Sequence, residues 1–196
     1  MVRLYGAIID NINSGNLNAR ISLVVSDNPT AFALERAKQN DIPTYIIGCR
    51  GERLCSPGST GSSTPTPEER DVELAEELRK YDVDLIVLAG YLKKIGNRLI
   101  DEYTIINTHP SLLPAYGGKG MYGMKVHTAV VNAKEDYSGP TVHYVNDKYD
   151  EGDIIAQTKV ILEDGETPES LSAKVQAVEK IQLVEVIKKF IDTWCS

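Results

Sequence analysis

Asn107 and His109 are the residues whose types and spacing first suggest chemistry. In an extended strand, alternate side chains lie on one face roughly 7 Å apart, so this amide and this imidazole can reach the same ligand. Residues 110–114 follow at once, and their two prolines do not continue a regular strand. The pair therefore lies where a strand ends, which is where open α/β sheets bind ligands. Alternatively, both side chains only hydrogen-bond the following turn.

The remaining polar residues have less distinctive surroundings. His143 lies in the alternating run 140–145, and we expect a buried structural residue. His127 lies at the start of a helix, and we expect it to be solvated. The acidic segment 147–153 is typical of a solvated turn and lacks the spacing of a calcium loop. Since the histidines also lack zinc-ligand spacing, we expect no metal site.

Length and composition limit the classes of protein to which the chain can belong. We expect residues 1–196 to form a single domain, because this length supports one substantial core. A net charge of −7 argues against a partner that is duplex nucleic acid. No apolar run approaches a membrane span, and no signal peptide is evident, so we expect no membrane partner. Three cysteines, an odd number, fit reduced thiols in the cytoplasm.

The elements that must position Asn107 and His109 alternate between strands and helices. Segment 84–90 is a continuous apolar run, typical of a strand that is covered on both faces. The order predicts an α/β fold with a doubly wound, mostly parallel, Rossmann-like sheet and an antiparallel C-terminal part. The predicted strands are 19–27, 44–48, 84–90, 105–110, 140–145 and 153–162, and the predicted helices are 30–39, 66–78, 127–134 and one from residue 167.

Three local features complete the secondary-structure prediction. Thr66 and Glu69 predict a capping box at a helix start. Residues 48–66 are rich in Gly, Ser, Pro and Thr, which predicts a surface loop. Leu171, Val175, Val178 and Ile181 predict the buried side of the last helix.

Five segments together resemble the folate-dependent formyltransferases, and among them the enzymes that formylate glycinamide ribonucleotide. The resemblance runs from about residue 7 to the C-terminus. Its most specific part is Asn-x-His-Pro-Ser-Leu-Leu-Pro at residues 107–114, followed by Asp-x-Gly at 150–152. The five segments are DLIVLAGYLKKI, IINTHPSLLPAYGGKGMYG, VHTAV, GPTVHYVNDKYDEGDIIAQ and AKVQAVEK.

The resemblance implies transfer of a formyl group from the co-substrate 10-formyltetrahydrofolate to the amine of glycinamide ribonucleotide, in purine synthesis. It implies that Asn107, His109 and Asp150 are catalytic. Attack on the formyl carbon creates negative charge on oxygen, which the Asn107 amide and a protonated His109 are suited to stabilise. Asp150 would hold His109 and help a proton to leave the attacking nitrogen.

The resemblance also assigns binding residues. Pro110 and Glu179 are implied to contact the ribonucleotide. Lys93 stands where the family has an arginine, and so lacks the planar fork of donors. The residues implied to border the pterin pocket are Tyr91, Leu92, Lys93, Ile95, Val145, Asn146 and Asp147.

The beginning of the chain departs from the family. Members open with an apolar strand and a loop of the type S-G-x-G-[ST]-N, which binds phosphate at a helix start. Residues 1–20 match neither, and we expect residues 14–16 to be only a turn. We predict that residues 1–20 form no phosphate loop, and that two neighbouring strands are left with unpaired backbone groups.

Other functions stay open at this point. Hydrolysis of 10-formyltetrahydrofolate would use the same three residues with water as the nucleophile, although the family hydrolases carry an added N-terminal regulatory domain. An inactive, truncated folate-binding remnant is a non-enzymatic alternative. Formylation of methionyl-tRNA has less support, because this acidic chain has no added basic domain. We expect a monomer or a homodimer.

Overall fold

Helices and strands alternate along the residues that the computed structural model describes, which are 2–48 and 66–194. The helices are α1 (Val2–Asn13), α2 (Phe32–Gln39), α3 (Pro67–Leu78), α4 (Asn97–Glu102), α5 (Met124–Asn132) and α6 (Pro168–Trp194). The strands are β1 (Val24–Ser26), β2 (Thr44–Ile46), β3 (Leu85–Leu88), β4 (Thr104–His109), β5 (Tyr137–Ser138), β6 (Thr141–Tyr144), β7 (Ile154–Gln157) and β8 (Val160–Ile161). The predicted loop between residues 49 and 65 lies outside the described residues.

The strands form a parallel part and an antiparallel part. β1 pairs with β2, and β3 pairs with β4, both in parallel. β6 then adds to β4, and β7 to β6, in antiparallel pairs. β5 and β8 form a separate antiparallel pair. The predicted α/β fold, with its antiparallel C-terminal part, is confirmed.

Helices cover both faces of the four-stranded sheet β3-β4-β6-β7. Consecutive residues of a strand point to opposite faces, and β4 shows this clearly. Ile106 packs with Leu4 of α1 and Leu183 of α6. Ile105 packs on the other side with Leu74 of α3. β4 is therefore a central, doubly covered strand, and its carboxyl end is held firmly from both sides.

The two parallel strand pairs, β1-β2 and β3-β4, belong to separate sheets. Within residues 2–48 and 66–194, β1 pairs only with β2 in its sheet, and β3 only with β4. Two contacts nevertheless hold the strands side by side. The Ser22 hydroxyl donates to the Asp82 carbonyl at 3.4 Å before the strands, and Lys93 Nζ lies 2.7 Å from Asp27 Oδ2 after them. β1 and β3 thus run in one direction, and no ladder pairs them among the described residues, which agrees with the predicted unpaired edges.

Three strand predictions are wrong in extent or burial. The predicted strand 19–27 is reduced to β1, because β2 offers paired positions only to Val24–Ser26. The predicted strand 153–162 divides into β7 and β8, which join different sheets. Residues 85–88 are half-buried rather than fully buried, and in the described part of the chain β3 has a paired strand, β4, on one edge only.

The helix boundaries agree well with the sequence pattern. The capping box is confirmed: Thr66 Oγ1 accepts from the Glu69 amide at 3.2 Å, and Glu69 Oε2 accepts from the Thr66 amide at 3.0 Å. The predicted position of Ile181 is wrong, since its side chain is 68% exposed. Because a helix turns every 3.6 residues, its buried side runs from Val175 through Glu179 to Leu183. Two successive steps of three residues, such as those that lead from Val175 to Ile181, therefore reach the exposed side of the helix.

Residues 14–16 form the predicted turn. The amides of Ser14, Gly15 and Asn16 donate to carbonyl groups in the last turn of α1, so these donors are already used. Gly15 has φ +74°, a conformation that glycine adopts easily. No described helix combines the length and the apolar character needed to cross a membrane.

Candidate active site

The carboxyl end of β4 is the centre of the site. Asn107 and His109 lie there, separated by one residue, as the sequence predicts. The parallel register places Leu88 of β3 opposite Asn107. The antiparallel register places His143 of β6 opposite Asn107 on the other side. Three strands therefore converge where the predicted polar pair lies.

His109 is fixed through both ring nitrogens and is only 4% exposed. Nε2 lies 2.8 Å from the carbonyl oxygen of Tyr116, so this nitrogen carries a proton and donates. Nδ1 lies 3.4 Å from Asp150 Oδ2. Burial lowers the pKa of His109 from its usual 6.5, and the opposing effects of Asp150 and of the Tyr116 carbonyl do not outweigh it. The resting ring is therefore neutral near pH 7.

Asp150 lies between two imidazole rings. Its Oδ1 is 3.6 Å from His143 Nε2, and its Oδ2 accepts a hydrogen bond of 2.9 Å from the Gly118 amide. Its backbone has φ +57°, in the left-handed region that Asp tolerates better than most residues. Burial alone would raise the pKa of Asp150, but His143, His109 and the Gly118 amide together lower it. The carboxylate is therefore ionised at neutral pH.

His143 belongs to the site, and not only to the core. It is 2% exposed, and Nδ1 lies 2.8 Å from the Tyr144 carbonyl, so Nδ1 carries the proton. Nε2 lies 3.2 Å from Asn107 Nδ2 and 3.6 Å from Asp150 Oδ1, so it can accept from the amide or, when it carries a proton, donate to the carboxylate. This contact orients the Asn107 amide and leaves its second N–H free. The alternating sequence predicted a buried residue correctly, but only the strand register shows that it faces Asn107.

The segment after β4 is anchored to the antiparallel strands. Thr141 of β6 donates to the Ser111 carbonyl at 2.6 Å and accepts from the Leu113 amide at 3.0 Å. Gln157 of β7 donates to the Leu113 carbonyl at 2.9 Å. These bonds hold the backbone that carries Tyr116 and Gly118. The partners of His109 and Asp150 are thus positioned by the sheet itself.

A cleft of about 550 Å³ opens above these residues. Asn107, His109, His143 and Asp150 line it together. Of the residues assigned by resemblance to binding, those that line the cleft are Tyr91, Leu92, Lys93, Ile95, Pro110, Val145, Asn146 and Glu179. Asp147 is exposed on the turn between β6 and β7, and it is not among the lining residues.

Glu179 of α6 is a buried carboxylate at the edge of the cleft. Its Oε1 accepts a hydrogen bond of 2.6 Å from Thr108 Oγ1. Burial raises the pKa of Glu179, and the Thr108 bond opposes this only in part. Thr108 lies between Asn107 and His109, so one strand end contacts both the catalytic candidates and α6.

The prediction for His127 is wrong. The sequence predicts a solvated side chain, but His127 is 2% exposed and lines the cleft from α5. Its Nδ1 has no hydrogen-bond partner among the described residues. Burial lowers the pKa of His127, and the nearby His109 lowers it further. The error arose because α5 begins at Met124, so His127 lies inside the helix on its buried stripe with Val126 and Val130.

The described residues contain no group of three or more His, Cys, Asp or Glu side chains arranged to hold a metal ion. The side chains of the site offer chemistry of their own. It combines an amide donor, a neutral imidazole and an ionised carboxylate, all within a cleft. Such a set can stabilise developing negative charge on an oxygen and can move a proton.

Comparison with known proteins identifies similar chains along most of the length. Residues 3–187 match the sequence model of a family described as formyl transferase. The chain is 40% identical over 182 residues to the chloroplastic phosphoribosylglycinamide formyltransferase of Arabidopsis thaliana, covering 92% of this chain. It is 33% identical over 189 residues to the phosphoribosylglycinamide formyltransferase of Bacillus subtilis, covering 95% of this chain and 88% of the relative.

A solved structure extends the similarity to the fold. The phosphoribosylglycinamide formyltransferase of Bacillus halodurans superposes with a TM-score of 0.79 at 33% identity, over 95% of this chain and 88% of that chain. The chain spans 59% of the length of the Arabidopsis relative and 56% of a second plant relative, from Vigna unguiculata.

Proposed function

The chain belongs to the formyl transferase family, and from this premise we propose that it transfers a formyl group from 10-formyltetrahydrofolate to the amine of glycinamide ribonucleotide. The observation that carries this proposal is the meeting of Asn107, His109 and Asp150 in one cleft. The relatives named as phosphoribosylglycinamide formyltransferases support the choice of substrate.

We propose that Asn107 stabilises the tetrahedral intermediate as a hydrogen-bond donor, and that His109 does so through the positive charge that it gains at Nδ1. When the amine attacks the formyl carbon, the carbonyl oxygen gains negative charge. One N–H of Asn107 is used by His143, which leaves the second for this oxygen. His109 already donates from Nε2 to Tyr116, so only Nδ1 is available to take up and donate a proton.

Asp150 is proposed to stabilise the proton that His109 takes up. The attacking nitrogen must lose a proton, and the folate nitrogen must gain one as its bond to the formyl carbon breaks. A neutral His109 can accept at Nδ1, and the ionised Asp150 at 3.4 Å stabilises the imidazolium that forms. Placing this pair in a buried site strengthens the interaction of their charges.

We propose that each side of the cleft binds one of the two substrates, and that the folate binds to the side described first. Ile95 and Val145 give one side an apolar lining, and the neighbouring backbone at Tyr91, Leu92 and Asn146 offers peptide groups to a planar heterocycle such as the pterin. Lys93 lines this side and pairs with Asp27. Asp147 is kept as a pterin-binding candidate, through its backbone rather than its exposed side chain.

Glu179 and Pro110 are proposed to contact the ribonucleotide. Glu179 is held by Thr108 through one oxygen, and it lines the cleft close to the catalytic candidates. A carboxylate held in this way is suited to accept hydrogen bonds from sugar hydroxyls. Pro110 follows His109 directly and lines the same cleft.

The proposal is tested by incubating the purified protein with 10-formyltetrahydrofolate, with and without glycinamide ribonucleotide. We expect tetrahydrofolate to be released only when the ribonucleotide is present. Release without the ribonucleotide would support hydrolysis instead, and folate binding without turnover would support an inactive remnant. His109→Ala should abolish activity. Arg79→Ala, which removes an exposed ion pair with Glu102 outside the lining of the cleft, is the matched control.

Three further expectations belong to this proposal. We propose that the protein acts in the cytoplasm, that it needs no metal, and that it works as a monomer or a homodimer on small-molecule substrates without a nucleic-acid or membrane partner. The acidic net charge of −7 supports the exclusion of duplex nucleic acid. Size-exclusion chromatography and activity after chelation would test the oligomeric state and the metal.

A further inference from the structure

We infer that Asp71 of α3 is a positioning residue, which fixes the backbone of segment 90–96 and thereby sets the affinity of the cleft for the folate. Asp71 is not itself among the residues that line the cleft. Its hold on the segment follows from the structure alone, whereas its effect on folate binding rests on the proposed function.

Segment 90–96 forms a wall of the cleft without regular secondary structure of its own. Residues 90–95 all line the cleft, on the side proposed to bind the pterin. β3 ends at Leu88 and α4 begins at Asn97, so neither a strand ladder nor a helix holds the peptide groups between them. These groups must be fixed by contacts from other elements, because a wall that becomes ordered only on binding lowers the affinity.

Asp71 contacts the end of this segment at Gly96. Asp71 is 7% exposed, and its carboxylate accepts a hydrogen bond from the Gly96 amide. Burial raises the pKa of Asp71, and the Gly96 amide and Arg70 oppose this in part. A carboxyl oxygen can accept from an amide whether the group is protonated or ionised. The contact therefore depends on an acceptor oxygen and not on the charge.

Gly96 is required here by lack of space and not by backbone conformation. Its φ of −91° and ψ of 168° belong to the extended region, which other residues adopt as well. A Cβ on Gly96, however, would lie 1.6 Å from Asp71 Oδ2 and 2.8 Å from Asp71 Cγ. A larger residue would therefore displace the carboxylate. Asp71 and Gly96 are thus a matched pair, in which the missing side chain makes room for the acceptor.

The neighbouring residue of α3 contacts the other end of the segment. Arg70 hydrogen-bonds the Tyr91 hydroxyl, and burial raises the pKa of Tyr91, so this hydroxyl is protonated near neutral pH. Between these two ends, Lys93 pairs with Asp27, but the two side chains are 43% and 34% exposed, so solvent screens their attraction. The buried contact of Asp71 is therefore expected to contribute more to the position of the wall.

The first measurement needs no ligand. Hydrogen exchange at the Gly96 amide and relaxation of the backbone amides of residues 91–95 would be compared by NMR in the unaltered chain and in Asp71→Ala. We expect exchange at Gly96 to be roughly tenfold faster in the variant, and residues 91–95 to be more mobile. Asp71→Asn keeps an acceptor oxygen and should behave like the unaltered chain. Equal exchange and equal mobility in Asp71→Ala and the unaltered chain would overturn the inference.

The second measurement separates binding from catalysis. Asp71→Ala should raise the KM for 10-formyltetrahydrofolate about tenfold, while kcat and the KM for the ribonucleotide change less than about twofold. Asp71→Asn should restore the folate KM. Leu34→Ala is the control for a general loss of stability, because Leu34 is buried in a cluster that contains no residue of segment 90–96. An equal rise in both KM values, or the same folate effect in Leu34→Ala, would overturn the inference.

Gly96→Ala tests the same contact from its other side, and it remains available if Asp71→Ala does not fold. Its Cβ should displace the carboxylate and raise the folate KM about tenfold. In the Asp71→Ala background the same change should add little, because the Cβ enters the space that the carboxylate leaves. Additive effects, or an unchanged folate KM in Gly96→Ala, would overturn the inference. If the unaltered chain neither binds nor uses the folate, the proposed function is wrong, and the exchange measurement alone decides whether Asp71 positions the segment.

Discussion

His109 Nδ1 lies 3.4 Å from Asp150 Oδ2, while Nε2 of the same ring donates to the Tyr116 carbonyl. Both nitrogens therefore face acceptors, and only a protonated ring can donate to both. Burial opposes protonation by lowering the pKa of His109. The site thus contains an imidazole that is neutral at rest, next to a carboxylate placed to stabilise the proton that it takes up.

Replacing Asp150 by Asn should impair catalysis far more than folding. The amide retains an oxygen that can accept from the Gly118 amide, but it has lost the charge that stabilises protonated His109. We expect kcat to fall by roughly 10²- to 10⁴-fold, with a smaller change in KM. Steady-state kinetics would measure this. Glu151→Gln is the matched control, since this neighbouring carboxylate is 62% exposed, and it should leave kcat nearly unchanged.

Stability should fall as the pH falls below neutral. Burial lowers the pKa values of His109 and His127 from 6.5, so between the lowered values and 6.5 the unfolded chain binds more protons than the folded one. The free energy of unfolding therefore rises with pH in this window and is lost towards acid. Urea unfolding between about pH 5 and pH 7.5 would measure the slope.

His127→Phe provides a check on the origin of this slope. It removes one of the two buried rings, and this ring has an Nδ1 without a hydrogen-bond partner among the described residues. The dependence of stability on pH should become flatter. A slope of the opposite sign, or one that His127→Phe leaves unchanged, would contradict the assignment.

Thr108→Val should destabilise the fold by leaving Glu179 without its donor. Both residues are buried, and their hydrogen bond is 2.6 Å long. We expect a loss of about 1–3 kcal/mol in the free energy of unfolding, and a further rise in the pKa of Glu179. Chemical denaturation would measure the loss.

Glu179→Gln separates the structural role of this side chain from binding. The amide can still accept from Thr108, so stability should change less than in Thr108→Val. If Glu179 binds the ribonucleotide, the KM for the ribonucleotide should rise severalfold while the KM for the folate stays constant. Equal changes in both constants would count against the assignment.

Gly117→Ala should disturb the position of Asp150. A Cβ at Gly117 would lie 2.5 Å from Leu113 Cδ2 and 3.3 Å from Asp150 Cβ, so one of these neighbours must move. We expect kcat to fall roughly 10- to 100-fold, because small displacements of catalytic groups have large effects. Gly165→Ala is the control for a strained glycine position outside the cleft. It introduces a Cβ at a positive φ of +78°, with no atom of the described residues within 4 Å, and it should leave kcat nearly unchanged.

The sequence predicted well those features that depend on local patterns. Asn107 and His109 were placed at a strand end from alternation and the following prolines, and the Thr66 capping box followed from local spacing. Asp150 could be assigned only by resemblance. Asp150 lies in an acidic turn of a kind that is common on protein surfaces. Its contact with His109 joins residues 41 positions apart in the chain.

The errors share a physical cause, which is that burial and pairing depend on distant partners. His127 was misjudged because the start of α5 could not be located from local residues. The role of His143 depends on its register opposite Asn107. The half-burial of residues 85–88 depends on how many strands pair with β3, which is one among the described residues, and apolar content alone does not reveal this.

The division of the sheet also bears on cooperativity. Asn107, His109, His143 and Asp150 all belong to the part built on β3, β4, β6 and β7, whereas β1 and β2 join it mainly through α1 and α3. A strand ladder normally couples neighbouring strands into a single unfolding unit, and no such ladder links these two parts among the described residues. Cooperativity between the two parts therefore depends on shared side-chain packing, such as the cluster that joins Val25 and Tyr45 with Ile86 and Ile105.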